Sequence, residues 1–213
     1  MKRLLTIKTT KPNKEMETFL GKTKIELDNF FGFKAKEPII IFLNSREQMD
    51  LIWGQKTQEW QTGGTRTLNN TKNGIIFILA PNVYTKISSH KNKADFWKTL
   101  KHEYSHIYFR QITNGSYPLW LNEGLACYLA EQKKTCNNPL DVFSFFNKAD
   151  NNIYGIGYFW TKLLIEKFGK VKLLKLIKEL ETKSNLTEKI FNAKFFRIYG
   201  FSFSKNNLTK LIK

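Results

Sequence analysis

Only two short runs of this 213-residue chain have the composition of buried β-strands, and everything after residue 92 repeats its apolar residues at helical spacing. The runs are "EPIIIFL" (37–43) and "GIIFILAP" (74–81), each apolar, β-branched and marked off by proline. A fold with so little strand has to build its core mainly from helices. The expected class is α+β: a small mixed sheet with helices in an N-terminal lobe (1–92), then a helical part (93–213), together one domain.

The remaining elements follow from periodicity and punctuation. Residues 13–32 read as an amphipathic helix, with Met16, Phe19, Leu20, Leu27 and Phe30 on one face. Asn44 or Ser45 opens a second helix through Trp53, and Ser45 with Gln48 has the spacing of a capping box. "QTGGTRTLNNTKNG" is turn-rich and has room for a hairpin arm. Further helices are expected at 93–112, 118–132, 140–148, 151–168, 170–182, 185–198 and 205–213, with Pro118 suited to a helix's first position.

Bulk properties set limits on partners. The formal net charge is +17, which on its own would suit an anionic partner. The basic residues, however, are 30 lysines and only 5 arginines. Arginine is the residue that forks onto phosphates and reads guanine edges, so its scarcity argues against specific nucleic-acid recognition. No run of 18 or more apolar residues is present, hence no membrane span is expected. The opening "MKRLLTIKTT" is too poor in apolar residues for a signal peptide, and a cytoplasmic location is expected. Cys127 and Cys136 are too few for a disulfide framework. The first reads as a core residue and the second as an exposed free thiol.

The chain has three histidines, and two of them stand four residues apart in "KHEYSHIYFR" (101–110). On a helix, residues i and i+4 share a face, so His102 and His106 can reach one metal ion. Stepping about 100° per residue, Phe96, Trp97, Leu100, Tyr104, Ile107 and Tyr108 form the apolar stripe, the histidines point away from it, and Glu103 sits at its edge. A catalytic zinc site needs a third protein ligand, and the next helix supplies one candidate, Glu123, in "YPLWLNEGLACYLAE". Gly124 beside it would let the two helices approach closely.

"HEYSH" followed by "LWLNEGLACYLAE" resembles the gluzincin metallopeptidases, above all the aminopeptidase-N-like group and its minor single-domain (peptidase MA-like) relatives. The likeness runs over roughly residues 75–170 and implies a zincin-like fold and hydrolysis of peptide bonds. It further implies one Zn2+ held by His102, His106 and Glu123, with Glu103 as general base. "NIYGIGYFW" (152–160) resembles the later helix on which that group carries an oxyanion-binding tyrosine. Tyr154, in a Y-x-x-G setting with Gly157, fits the role, and Tyr158 one turn on is its rival. The substrate implied is a peptide or protein, which could pair with the strand "IIFIL" as a sheet edge.

The chain also departs from the group. The spacing from His106 to Glu123 is shorter than in aminopeptidase N, and the upstream segment that binds a free amine there has no counterpart, leaving endo- or exopeptidase action open. Cys127 stands where thermolysin-like enzymes carry an aspartate. Two other readings compete. One is a zinc-binding, catalytically inactive gluzincin-like interaction protein; the other is a basic nucleic-acid-binding protein with a chance motif.

Overall fold

The side chain of Asn13 accepts a hydrogen bond from the Met16 amide (2.9 Å) and starts α1 (Lys14–Phe31). The helix ends at Gly32, whose φ of +74° closes the last turn. The computed structural model describes residues 13–67, 73–115, 117–181 and 186–212. The basic opening segment, residues 68–72 inside the turn-rich stretch, and the start of the helix expected at 185 lie outside the described residues.

The chain divides into two compact units, residues 1–107 and 108–213. The first holds α1, β1 (Ile39–Leu43), α2 (Arg46–Trp53), β2 (Gly63–Thr67), β3 (Gly74–Leu79), a single turn α3 (Pro81–Tyr84) and most of α4 (Lys93–Thr113). The second holds α5 (Leu119–Leu129), a 3-10 helix (Pro139–Phe145), α6 (Ile153–Phe168), α7 (Lys170–Glu179), α8 (Glu188–Tyr199) and α9 (Lys205–Ile212). The class is α+β, with a three-stranded mixed sheet.

That sheet has the order β1-β3-β2, with β1 parallel and β2 antiparallel to β3. The turn-rich stretch does supply a strand, β2. The expectation that "IIFIL" forms the sheet edge is therefore corrected: β3 is central, paired on both sides, and β1 and β2 are the two edge strands. The alternation of side chains sorts the sheet's contacts by face. Gly64 lies under Trp53 of α2, and the Arg66 guanidinium stacks 4.3 Å over the same ring. Gly63, Thr65 and Gly74 face α4 instead: Thr65 bonds Glu103, and a Cβ on Gly74 would lie 2.2 Å from Ile107 Cδ1.

Two polar devices hold the segment that leads into β2. Ser45 caps α2 by accepting from the Gln48 amide (3.3 Å), while Gln48 Oε1 accepts from the Asn44 amide (2.7 Å), one residue further back than in a standard capping box. Arg46 then gathers the loop by donating to the carbonyls of Gln58, Glu59, Gln61 and Ile87. Beneath it, the buried Tyr84 hydroxyl meets Thr99 Oγ1 (2.7 Å) and Thr62 Oγ1 (3.3 Å).

The second unit is packed by aromatic rings. Phe203, between α8 and α9, stacks on Trp120 (5.4 Å, 4° between planes) and meets Phe143, Trp160, Phe191 and Phe195. Pairs of this kind contribute about 0.5–1.5 kcal/mol each beyond area burial. Three expectations are corrected here. The helix expected at 140–148 is a 3-10 helix at Pro139–Phe145, Pro118 occupies the N-cap instead of the first helical position, and α5 stops at Leu129. The described residues include no helix long and apolar enough to cross a membrane.

Candidate metal centre

On α4 every residue from His102 to Phe109 is buried. This corrects the expectation that the histidines lie on a face turned away from the core: His102 and His106 are 6% and 5% exposed, scarcely more than Tyr104. The apolar stripe is real, but the polar face opposite it is enclosed as well. A buried polar group needs a partner, which makes the enclosed histidines informative.

The two imidazoles turn to each other edge to face (centroids 4.7 Å, 86°) with Nε2 atoms 3.1 Å apart. Two nitrogens bonded to one tetrahedral zinc at about 2.0–2.1 Å would stand roughly 3.3 Å apart. The pair therefore already has the spacing of two ligands to a single ion. Glu123, half-buried on α5, brings a carboxylate oxygen into the group, and one ligand atom from each of His102, His106 and Glu123 lies within 4.8 Å of the others. The three residues form a group that could hold a metal ion.

What places Glu123 differs from the sequence expectation. Gly124 does permit a close helix crossing, but the helix it meets is α6. A Cβ on Gly124 would fall 2.1 Å from the Gly157 carbonyl oxygen, and one on Gly157 would fall 2.2 Å from the Trp120 carbonyl oxygen. The glycine of the Y-x-x-G setting thus belongs to the same crossing as the glycine after Glu123. Tyr154 stands one turn before Gly157, on α6, half-buried. It lines a cleft of about 390 Å³ with Lys134, Cys136, Asn138, Asp141 and Asn152, and Lys134 Nζ is 6.0 Å from its ring centroid. Cys136 is half-buried, not exposed, and burial raises its thiol pKa. Cys127 is fully buried, as expected of a core residue.

Glu103 lies next to the ligand pair but faces the sheet. Its Oε2 accepts a hydrogen bond from Thr65 Oγ1 (2.8 Å), and Gly63 lies flush against the same side chain. Neither β2 residue was singled out from sequence. The only available signal was a Gly-Gly pair followed by threonine inside a turn-rich stretch, and that pattern suits a loop equally well. No family model matches the sequence, and no curated protein matches it either.

Proposed function

We propose that the chain is a zinc-dependent peptidase of gluzincin type. The observation that carries this reading is the convergence of His102, His106 and Glu123, with two Nε2 atoms 3.1 Å apart and enclosed. Two imidazoles and one carboxylate are the donor set of a catalytic zinc site that keeps a position open. Zinc in such a site supplies Lewis acidity, making a water acidic and polarising a carbonyl.

The chain's own residues supply the rest. Glu103 takes a proton from the attacking water and returns it to the leaving amine. Its carboxylate is buried and already tied on one oxygen, which leaves the other to receive the proton. Tyr154 donates its phenol to the oxyanion that develops on the scissile carbonyl. On a helix Tyr154 sits roughly 60° round from Gly157 and Tyr158 roughly 100° round, so Tyr154 lies nearer the crossing that carries Glu123. A peptide can add only to an unpaired edge, and of the two edge strands β2 is the one that holds Glu103, so β2 takes over the substrate-pairing role expected of "IIFIL".

Three of the five arginines are engaged within the protein. Arg46 is spent on loop carbonyls, Arg66 on Trp53 and Arg197 on Glu179. The deciding experiment combines metal analysis with cleavage of a mixed peptide library by wild type and Glu103→Gln. The expected result is one zinc per chain in both proteins, with kcat reduced about 10²–10⁴-fold in the variant. Zinc bound by a wild type that cleaves nothing would identify an inactive, gluzincin-like interaction protein and end the hydrolase reading.

A further inference from the structure

Glu103 is gripped by the edge strand β2 at two points. Thr65 Oγ1 stands 2.8 Å from Glu103 Oε2 and 3.2 Å from the backbone carbonyl of the same residue. A hydroxyl has one proton, and the shorter bond, to a charged acceptor, is the stronger of the two. Thr65 is 6% exposed and Glu103 7%, so solvent does not compete for that bond. Two residues back along the same face of β2, a Cβ built on Gly63 would come within 3.1 Å of Glu103 Cγ and 3.2 Å of Oε1. A threonine thus fixes one carboxylate oxygen, and the missing side chain at 63 leaves room for the other. Register reinforces the arrangement, because Gly63 and Thr65 pair with Ile78 and Ile76 of the central strand, which cannot slide without exposing both isoleucines.

The geometry points to Thr65 as a positioning residue for the general base, with Gly63 as the clearance that position requires. This rests on the peptidase reading. A general base must come within about 2.6–3.2 Å of the proton it takes, and a glutamate with three free torsions spends little time there unless it is held. A 1 Å misplacement can cost about 100-fold in rate. Thr65 acts through Glu103 and need not touch substrate, so its contribution belongs in kcat and not in KM.

The test uses the full chain in three variants: Thr65→Val, which keeps the shape and removes the donor, Thr65→Ser, which restores it, and Gly63→Ala. Expected for Thr65→Val is a kcat lowered about 10–100-fold with KM within about 2-fold and zinc content equal to wild type. Thr65→Ser should return kcat to within about 3-fold of wild type, and Gly63→Ala should lower it while zinc is retained. Serine that fails as badly as valine, or valine with wild-type kcat, overturns the proposal. A second readout does not depend on turnover: in crystals of Thr65→Val the Glu103 carboxylate should occupy more than one orientation. A single, unchanged orientation there overturns the positioning role. A wild type that cleaves no peptide defeats the peptidase reading and leaves this second readout standing.

Discussion

Replacing Gly124 with alanine sets two effects of known size against each other. In an unconstrained helix interior the change would stabilise by about 0.5–1 kcal/mol, because alanine loses less backbone entropy than glycine on folding. Here the new Cβ would lie 2.1 Å from the Gly157 carbonyl oxygen and 2.2 Å from its carbonyl carbon, where ordinary contact needs roughly 3.5 Å. Backbone on both sides forbids relief by a rotamer change, so α5 and α6 must separate by roughly 1 Å or more. Overpacking of that kind costs about 1–3 kcal/mol. It also loosens the rings around Trp120, one turn earlier on the same face of α5. The net expectation is destabilisation by about 1–3 kcal/mol, read as a shift in urea midpoint at unchanged slope. Since Glu123 is the adjacent residue, zinc affinity should fall about 10-fold or more in the same protein, measured by competition with a chromophoric chelator. Gly157→Ala should behave alike, its Cβ falling 2.2 Å from the Trp120 carbonyl oxygen. A Gly124→Ala protein more stable than wild type, binding zinc equally well, would refute the claim that this crossing sets the position of Glu123.

Other expectations are more direct. Removing His106 as alanine should weaken zinc binding by more than the roughly 10–100-fold that loss of an outer-shell partner costs, and chelation should then leave the melting temperature of the variant nearly unchanged while lowering that of wild type. Tyr154→Phe should lower kcat about 10²–10³-fold with Tyr158→Phe near wild type, and the reverse order would move the oxyanion role to Tyr158. Burial raises the pKa values of Tyr84, Tyr104 and Tyr199 in the folded protein. A raised folded pKa means the stability these phenols contribute is fully present below pH 10, their ordinary value, and is lost as the pH climbs through the folded values. Urea midpoints should therefore fall above pH 10, and Tyr84→Phe should flatten that fall at a cost of about 1–3 kcal/mol at neutral pH, since Thr99 and Thr62 lose their shared partner.

The helices were legible because their caps and stripes are local. Asn13, Ser45, Gly32 and Gly54 close the first two helices by bonds that span only a few residues, and such bonds follow from residue type alone. The spacing that brings His102 and His106 together is equally local, one turn of a single helix. The expectations that failed all turned on partners distant in sequence, although the grouping of Glu123 with the two histidines did not fail. The all-round burial of α4 cannot be read from its own stripe, because a polar face is enclosed by whatever else packs there. The rank of "IIFIL" as an edge or a centre depended on whether the turn-rich stretch before it would form a strand, and Gly63 and Gly64 weakened that signal. Gly124 announced a close approach correctly, yet it gave no direction, and the helix it meets is the one that also carries Tyr154.

These misreadings share a physical origin that also bears on the chemistry. Each of the two carboxylates of the proposed site lies beside a residue without a side chain: Glu103 against Gly63, and Glu123 next to Gly124, which crosses Gly157 closely. Gly124 meets backbone, and that crossing has no rotamer to absorb an error, whereas Gly63 meets the Glu103 side chain itself. A methyl group at 124 would fall 2.1 Å from the Gly157 carbonyl oxygen, while one at 63 would stand 3.1 Å from Glu103 Cγ and displace that side chain. The proposed base and the proposed third ligand therefore rest on two separate elements, β2 and α6, and they should fail independently. A Gly63→Ala protein should lose turnover while keeping zinc, and a Gly124→Ala protein should lose zinc as well. Zinc lost on both substitutions in equal measure would mean that β2 holds the ligand pair too, and that the separation of roles argued from these contacts is wrong.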